Sequence, residues 1–195
     1  VIVLNGVLPD PQALAKLREA GAGLVLILGE QTGATEVETV LGYPVELTTS
    51  ADPISLTELK INDPLTTEII WNSAPQVRER AEVMTVLSSV QPLVVAYESG
   101  EWVLWQARPA VFVVNTFLED DATNPQLQQW AYFNYLIYHL VQRAAGETPL
   151  SFADYPGSPL PHPAERNLLW LVLALLNLTS FGAFYLVRRY SKRHP

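Results

Sequence analysis

The residues that come nearest to a catalytic motif are Gly29-Glu30-Gln31-Thr32-Gly33, which follow an apolar run. A strand, a tight turn of the form Gly-x-nucleophile-x-Gly and a helix together make a nucleophile elbow, in which a Ser, Cys or Thr attacks a carbonyl carbon. Here the central position holds Gln31, which has no nucleophilic atom, and Thr32 stands one residue away. We therefore interpret Gly29, Gln31 and Gly33 as a degenerate elbow that serves as a structural turn. Catalysis, and contact with a ligand or partner, are the alternatives.

The chain offers few other groups for catalysis or metal binding. It has no cysteine, which excludes disulfides, thiolate metal sites and thiol catalysis. Its three histidines are His139, His162 and His194, and none is near the degenerate elbow in sequence. A Ser-His-Asp arrangement would have to use His139, which we interpret instead as a surface histidine beside tyrosines. The Glu-Asp-Asp run at 119–121 has the oxygen donors that calcium prefers, but without EF-hand spacing we favour a solvated acidic loop and no metal site.

A long helix is predicted from Gln126 to Ala145. Apolar residues at helical spacing should face the core, namely Leu127, Trp130, Phe133, Ile137, Leu140 and Ala144. A second stripe consists of Tyr132, Tyr135 and His139, at spacing i, i+3, i+7. An exposed row of tyrosines suits a protein interface. A position under a neighbouring loop is the alternative, and the sequence leaves both open.

The first 30 residues predict a β-α-β unit. Val1–Leu4 and Leu24–Leu28 are apolar runs typical of buried strands, and the second is continuous, as in a parallel strand covered on both faces. Between them, Asp10 and Pro11 predict the start of a helix that ends at Gly21. Further strands are predicted at 92–97, 102–107 and 110–116, the first two as a hairpin, while prolines obscure the pattern across 43–82.

A membrane-spanning helix is predicted near the end of the chain. Leu168–Val187 contains 20 residues without a charge, which at about 1.5 Å per residue matches a hydrocarbon core of about 30 Å. The predicted anchors at its two ends are Trp170, Tyr185, Arg188 and Arg189, and its polar residues Asn177, Thr179 and Ser180 are candidates for contact with a partner helix. The alternative is a helix buried in a core, which seldom stays apolar all round for this length.

The distribution of charge predicts the orientation of this helix. Residues 10–165 hold all 20 acidic residues and seven basic ones, a net charge of −13, whereas residues 166–195 hold five basic residues and no acidic one. The basic tail should therefore be cytoplasmic and the acidic domain outside the cytoplasm, in a single-pass protein of the cell membrane. An acidic domain also argues against nucleic-acid binding.

Four segments are predicted along the chain: an α/β domain at 1–145, a Pro-rich tether at 146–166, a transmembrane helix at 167–188 and a basic cytoplasmic tail at 189–195. The tether holds five prolines and should be extended and stiff. Because the first residue is Val1, already within a strand-like run, we expect the chain to be processed or to be part of a longer one.

Several stretches resemble membrane-anchored, class I glutamine amidotransferase-like domains of the type found in bacterial aerotolerance regulators, which often also carry a von Willebrand A domain. The resemblance lies in VIVLNG at the start, GAGLVLILG at 21–29, Asn62–Thr66, Trp71–Arg78 and Phe133–Leu140. It implies a flavodoxin-like, three-layer α/β domain with a mostly parallel sheet. It also implies a Cys-His-Glu triad, but the chain has no cysteine, so the resemblance assigns no catalytic residue.

The function expected from these features is that of a non-catalytic, single-pass membrane protein. It would be an accessory or assembly subunit whose domain docks onto other membrane-protein subunits, with respiratory or photosynthetic electron-transfer complexes as one setting. No cofactor is expected, and the lipid bilayer is the other partner. The alternative is an extracytoplasmic sensor or binding module for a small ligand, held at the carboxyl ends of the strands near Gly29–Gly33 and Asn115–Asp121.

Overall fold

The computed structural model describes residues 1–59, 63–83, 90–120 and 122–156. The strands are β1 (Ile2–Asn5), β2 (Leu24–Ile27), β3 (Leu47–Ser50), β4 (Leu56–Glu58), β5 (Arg80–Val83), β6 (Gln91–Ala96), β7 (Trp102–Arg108) and β8 (Val111–Val114). The helices are α1 (Pro11–Glu19), α2 (Ala34–Leu41), α3 (Pro64–Thr67), α4 (Pro125–Gln128) and α5 (Phe133–Ala144), with a 3₁₀ turn at Trp71–Ser73.

The predicted β-α-β unit is confirmed, but its first strand is not buried as predicted, because alternate residues of β1 are exposed. The carboxylate of Asp10 accepts a hydrogen bond from the Ala13 backbone N–H at 2.9 Å, and Pro11 occupies the first turn of α1, where its missing N–H costs nothing. β1 and β2 then pair in parallel, and all four residues of β2 are buried. Asp10 and Pro11 therefore fix the start of the helix that connects the two parallel strands, as the sequence predicts.

The central sheet is mixed, and the prediction of a mostly parallel sheet is wrong. Its six strands lie in the order β1-β2-β8-β7-β6-β4, with parallel pairing only among β1, β2 and β8. The connections from β6 to β7 and from β7 to β8 are too short for a crossover, so these strands run antiparallel, as does β4 against β6. β3 and β5 form a separate antiparallel pair.

Helices cover both faces of this sheet, as expected for a three-layer α/β domain. On one face, α1 and α2 pack Leu14, Val37 and Leu41 against side chains of β2 and β8. On the other face, α5 packs Leu136 and Leu140 against the alternate side chains of the same strands. The two cores are therefore separated by β2 and β8, which lie at the centre of the domain.

The long helix predicted at 126–145 is broken. The chain forms α4 and α5 with a turn at 129–132, in which the Trp130 N–H donates to the Leu127 carbonyl and the Phe133 N–H to the Trp130 carbonyl. This turn places the Trp130 ring 5.5 Å from the Trp71 ring. Because the helix restarts at Phe133, its buried face differs from the predicted one.

The first part of the predicted tether packs against the domain. Phe152 is buried, and the rings of Tyr135 and Tyr155 lie 5.5 Å apart. Among the described residues, the compact unit that begins at Val1 includes residues 146–156. We call residues 147–156 the strap.

The remaining predictions for the C-terminal part concern residues outside those described. They are the rest of the tether, the transmembrane helix at 167–188 and the tail at 189–195, including Trp170, Asn177, Thr179, Ser180, Tyr185, Arg188 and Arg189. Within the described ranges, no helix has the length and apolar character needed to cross a membrane.

A buried guanidinium attaches the small sheet to the large one. Arg80 of β5 is only 2% exposed, and its Nε and Nη2 atoms donate to the Glu101 carboxylate at 2.8 and 3.0 Å. Nη2 also donates to Glu82 at 3.1 Å, and Nη1 donates to the carbonyl oxygens of Asp52 and Arg78. All five donors of this side chain are therefore satisfied, as a buried charge requires.

We expect Arg80→Met to lower the free energy of unfolding by about 3 to 5 kcal/mol, because it leaves the largely buried Glu101 carboxylate without its partner. Arg78→Met is the matched control, since Arg78 is exposed and should change stability by no more than about 0.5 kcal/mol. Urea unfolding followed by tryptophan fluorescence measures both. Equal effects of the two substitutions would show that the Arg80 network contributes nothing specific.

Candidate functional site

The carboxyl ends of the three parallel strands β1, β2 and β8 meet at one edge of the sheet. Gly6 and Asn115 directly follow β1 and β8, and Gly29 lies two residues after the end of β2. Ligands of open α/β sheets bind at this edge, in a crevice formed by the loops that follow the strands. The degenerate elbow at Gly29–Gly33 lies here, which makes this edge the candidate site.

The elbow segment is a turn closed by a threonine. The Thr32 hydroxyl accepts a hydrogen bond from the Gly29 N–H at 2.9 Å and donates one to the Gly6 carbonyl at 2.9 Å. The Thr32 N–H also donates to the Gly29 carbonyl at 3.0 Å. Gln31 is exposed, and among the described residues other than glycine only Asn124 has a positive φ. The backbone at Gln31 is therefore not in the strained left-handed region. The Thr32 hydroxyl is used in hydrogen bonds to the backbone of Gly29 and Gly6.

Two glycines allow Glu119 to lie close over the strand ends. A Cβ at Gly29 would lie 1.9 Å from the Glu119 Oε1 atom and 2.5 Å from the Gly6 Cα atom, and a Cβ at Gly6 would lie 2.6 Å from the Glu119 Cγ atom. The Asn5 side chain donates to the Leu118 carbonyl at 2.7 Å and joins the same loop to β1. The glycine at position 29 thus serves close packing as well as turn formation.

A cavity of about 310 Å³ opens at this edge. Its lining consists of Glu30, Thr49, Ser50, Ala51, Glu79, Phe117, Glu119 and Thr123. Three carboxylates line it, and within the described part of the chain no Lys or Arg does. Such a lining disfavours an anion and favours a cationic group or a neutral hydrogen-bonding group.

Asn124 holds together the loops that form this cavity. It is buried with a left-handed backbone, at φ 47°, and its side-chain amide donates to the Glu79 carbonyl at 2.8 Å and the Phe117 carbonyl at 3.1 Å. Its Oδ1 atom accepts from the Arg78 N–H at 2.9 Å. One amide therefore fixes the loop before β5 and the loop after β8.

Glu119 and Asp120 of the acidic run at 119–121 contribute to this arrangement. Asp120 accepts hydrogen bonds from the Thr123 hydroxyl and from the N–H groups of Thr123 and Ala122, and these bonds lower the pKa of Asp120. Asp121 lies outside the described residues. No group of three His, Cys, Asp or Glu suited to a metal ion occurs among the residues that are described.

Two of the three residues in the candidate interface stripe of Tyr132, Tyr135 and His139 are buried. Tyr135 and His139 are each 1% exposed, and Tyr132 is half-buried with its ring 4.5 Å from that of Phe152. Tyr132 and Tyr135 pack against Phe152 of the strap, which is the position under a neighbouring loop that the sequence left open, and His139 packs against Tyr135. Because these side chains are covered, they do not form an exposed interface, and His139 is not a surface histidine.

A partly buried polar cluster fastens the strap to α5. The Tyr135 hydroxyl donates to the Glu68 carboxylate, and the same carboxylate accepts from the Phe152 N–H at 2.8 Å. The Leu150 N–H donates to the Tyr138 hydroxyl at 3.0 Å. Burial, followed by the hydrogen bond to Glu68, raises the pKa of Tyr135, which therefore stays protonated and keeps its donor.

His139 lies beside this cluster as a neutral imidazole. Burial, and next the nearby Arg143 guanidinium, lower the pKa of His139 to about 4. Its Nδ1 atom has no hydrogen-bond partner, and its ring packs edge-on against Tyr135 at 5.5 Å. Arg143 itself pairs with the buried Asp63 carboxylate at 2.8 Å.

Sequence reasoning found the turn at 29–33 but missed Glu68, Glu79, Asn124 and the strap. Only Asn124 had a usable signal, because an Asn directly before Pro125 is typical of a helix start. The others are brought in by contacts between residues that are distant in sequence, and no local pattern marks them.

Comparison with known proteins assigns no family. No family model and no curated protein matches the chain. Among solved structures, it is similar to a protein of Thermoplasma acidophilum that is provisionally assigned as one of the subunits of GMP synthase, with 11% sequence identity and a TM-score of 0.41, over 74% of this chain and 72% of that chain. A likeness at this level transfers no residue role, ligand or partner.

We expect Gly29→Ala to lower the free energy of unfolding by about 2 to 3 kcal/mol, because its Cβ would overlap the backbone of Gly6 and the Glu119 side chain. Gly33→Ala is the matched control in the same turn. The nearest atom to its Cβ would be 3.8 Å away, and the loss of a helix-capping glycine should cost less than about 1 kcal/mol. Thermal unfolding of both variants tests this, and a larger loss at position 33 would contradict it.

The pH dependence of stability should report on His139. Its pKa is about 4 in the folded state and about 6.5 when unfolded, so only the unfolded state gains this proton as the pH falls. The free energy of unfolding should therefore fall by about 3 kcal/mol between pH 6.5 and pH 4, beyond the contribution of the carboxylates. His139→Phe should remove this part of the slope. Equal slopes for the two proteins in urea titrations would refute the assignment.

Proposed function

We propose that this chain is a non-catalytic, single-pass membrane protein, an accessory or assembly subunit whose extracytoplasmic domain docks onto other membrane-protein subunits. In this proposal the domain is a degenerate relative of class I glutamine amidotransferase-like domains with a flavodoxin-like architecture. The setting would be a larger membrane complex, of which respiratory or photosynthetic electron-transfer complexes are examples.

The observation that carries the docking proposal is the exposure of large apolar side chains at both edges of the sheet. At the β1 edge, Val1 and Val3 are 53% and 45% exposed, and they lie on the same face of the strand. At the β4 edge, Ile70 and Tyr97 are 55% and 74% exposed. Apolar side chains grouped at a sheet edge are typical of surfaces that another chain covers.

The candidate site supports a role without catalysis. The chain has no cysteine, and the turn in the elbow position presents Gln31. The neighbouring Thr32 hydroxyl already donates its proton to the Gly6 carbonyl, so it is not poised against a base. His139 is buried against Tyr135 with an unpaired Nδ1 atom, which favours a structural role for the imidazole.

Membrane attachment rests on the sequence of the C-terminal part. The 20 uncharged residues of Leu168–Val187 and the arginines that follow them support a spanning helix with a cytoplasmic tail. The domain would then be held close to the lipid bilayer, where an accessory subunit meets its partners.

A second candidate is an extracytoplasmic module that binds a small ligand. The cavity of about 310 Å³ at the carboxyl edge favours this reading, because such edges hold the ligands of many α/β domains. Its three carboxylates would select a cationic or neutral ligand.

Purification of the full chain from its native membranes in mild detergent tests the proposal. We expect a complex that contains other membrane proteins in fixed stoichiometry and survives size-exclusion chromatography. A monomer whose melting temperature rises with a small amine or a divalent cation, and falls back in Glu79→Gln, would instead establish the binding module. A chain recovered without detergent would refute membrane attachment.

A further inference from the structure

The outer side of β4 carries backbone groups that none of the described strands pairs with. β4 is an edge strand, and it pairs with β6 through Ser55, Thr57 and Leu59: the Ser55 carbonyl accepts from the Tyr97 N–H at 2.9 Å, and the Leu59 N–H donates to the Leu93 carbonyl at 3.0 Å. In an antiparallel pair the intervening residues direct their N–H and C=O groups away from the partner. Glu58, which is exposed, therefore presents its N–H and C=O groups to the open edge, and the same groups of Leu56 face that side although this residue is only 7% exposed.

A groove of about 590 Å³ runs along this open edge. One wall is β4 itself with Ser55, and the other is the segment from Thr67 to Asn72, which contributes Ile69, Ile70 and Trp71. Tyr97 and Ile70, both more than half exposed, form its apolar rim. An extended chain fits this shape, because it can pair with the strand while its alternate side chains enter the groove.

The charges around the groove select the partner. Glu58 lies in its lining, and the Glu98 carboxylate accepts the Ser55 N–H at 3.3 Å at the other end of the strand. Backbone hydrogen bonds, first from its own N–H and then from Ser55, lower the pKa of Glu98, which keeps that carboxylate charged. Among the described residues that line the groove there is no Lys or Arg. A strand that carries basic residues complements this surface.

We infer that β4 is a docking strand, to which a partner protein adds an extended segment with apolar residues at alternate positions and flanking Lys or Arg. This inference rests on the proposed function and names the surface and the partner segment. It differs from docking through β1, the other edge of the sheet, whose residues from Val1 to Val7 carry no charged side chain.

Site-specific photocrosslinking in native membranes tests where the partner binds. Tyr97→p-benzoylphenylalanine places the probe on the rim of the groove. Leu17→p-benzoylphenylalanine is the matched control, because Leu17 is an exposed apolar residue of α1 that does not line the groove. We expect position 97 and not position 17 to crosslink to another protein of the purified complex. The crosslinked peptide, mapped by mass spectrometry, should contain Lys or Arg.

Glu58→Pro tests the pairing of backbones. The substitution removes the N–H that faces the open edge and leaves the hydrogen bonds between β4 and β6 intact. A proline at such a position is tolerated in an edge strand. We expect a melting temperature near that of the parent chain and a loss of affinity for the partner of about fivefold or more, the effect of one net hydrogen bond. Tyr97→Ala should weaken binding in the same way without a change in fold.

The outcomes separate this inference from the proposed function. A complex that forms equally well with Glu58→Pro and Tyr97→Ala, or that crosslinks from position 17 alone, overturns the inference and leaves the subunit role standing. A crosslink between two copies of the chain also overturns it. If no other protein co-purifies with the parent chain, the proposed function is refuted, and the docking strand with it.

Discussion

The buried amide of Asn115 is the interaction on which the arrangement of the two sheets depends. It lies at the end of β8 and is fully buried. Its Oδ1 atom accepts from the Trp105 indole N–H at 2.9 Å, and its side-chain amide donates to the Trp102 carbonyl at 2.7 Å. The Asn115 backbone N–H donates to the Val103 carbonyl, and the Asn115 carbonyl accepts from the Ala81 N–H. One residue thus joins the parallel part of the sheet to the hairpin and to β5, and the Arg80 network adds a second attachment beside it.

The elements that could be predicted from the sequence are those with local signals. Asp10 and Pro11 begin α1, Gly42 ends α2 with a positive φ, and Gly100 turns the β6–β7 hairpin in the same way. Strand direction across the sheet has no such signal, because it depends on which strands meet after long stretches of chain. The break at 129–132 was hidden as well, since apolar residues continue through it at helical spacing.

The same limit applies to the candidate site. The turn at 29–33 could be located because two glycines follow an apolar strand, but the approach of Glu119 over Gly29 comes from a loop 90 residues away in sequence. Tyr135 and His139 look like surface residues by type and are buried, Tyr135 against Phe152 and Tyr155 of a Pro-containing segment. Helical periodicity identifies which residues share a face and does not reveal what packs on that face.

The strap changes what counts as the folded domain. The composition of the strap suggests a linker. However, the Phe152 side chain is buried in the core, and the Phe152 N–H donates a hydrogen bond to the Glu68 carboxylate. A polypeptide ending at residue 145 would remove Phe152 and Tyr155 from the Tyr135 ring, and the aromatic surface left facing water would promote self-association. The smallest autonomous folding unit therefore extends at least through Tyr155, and any experiment on the isolated domain should retain those residues.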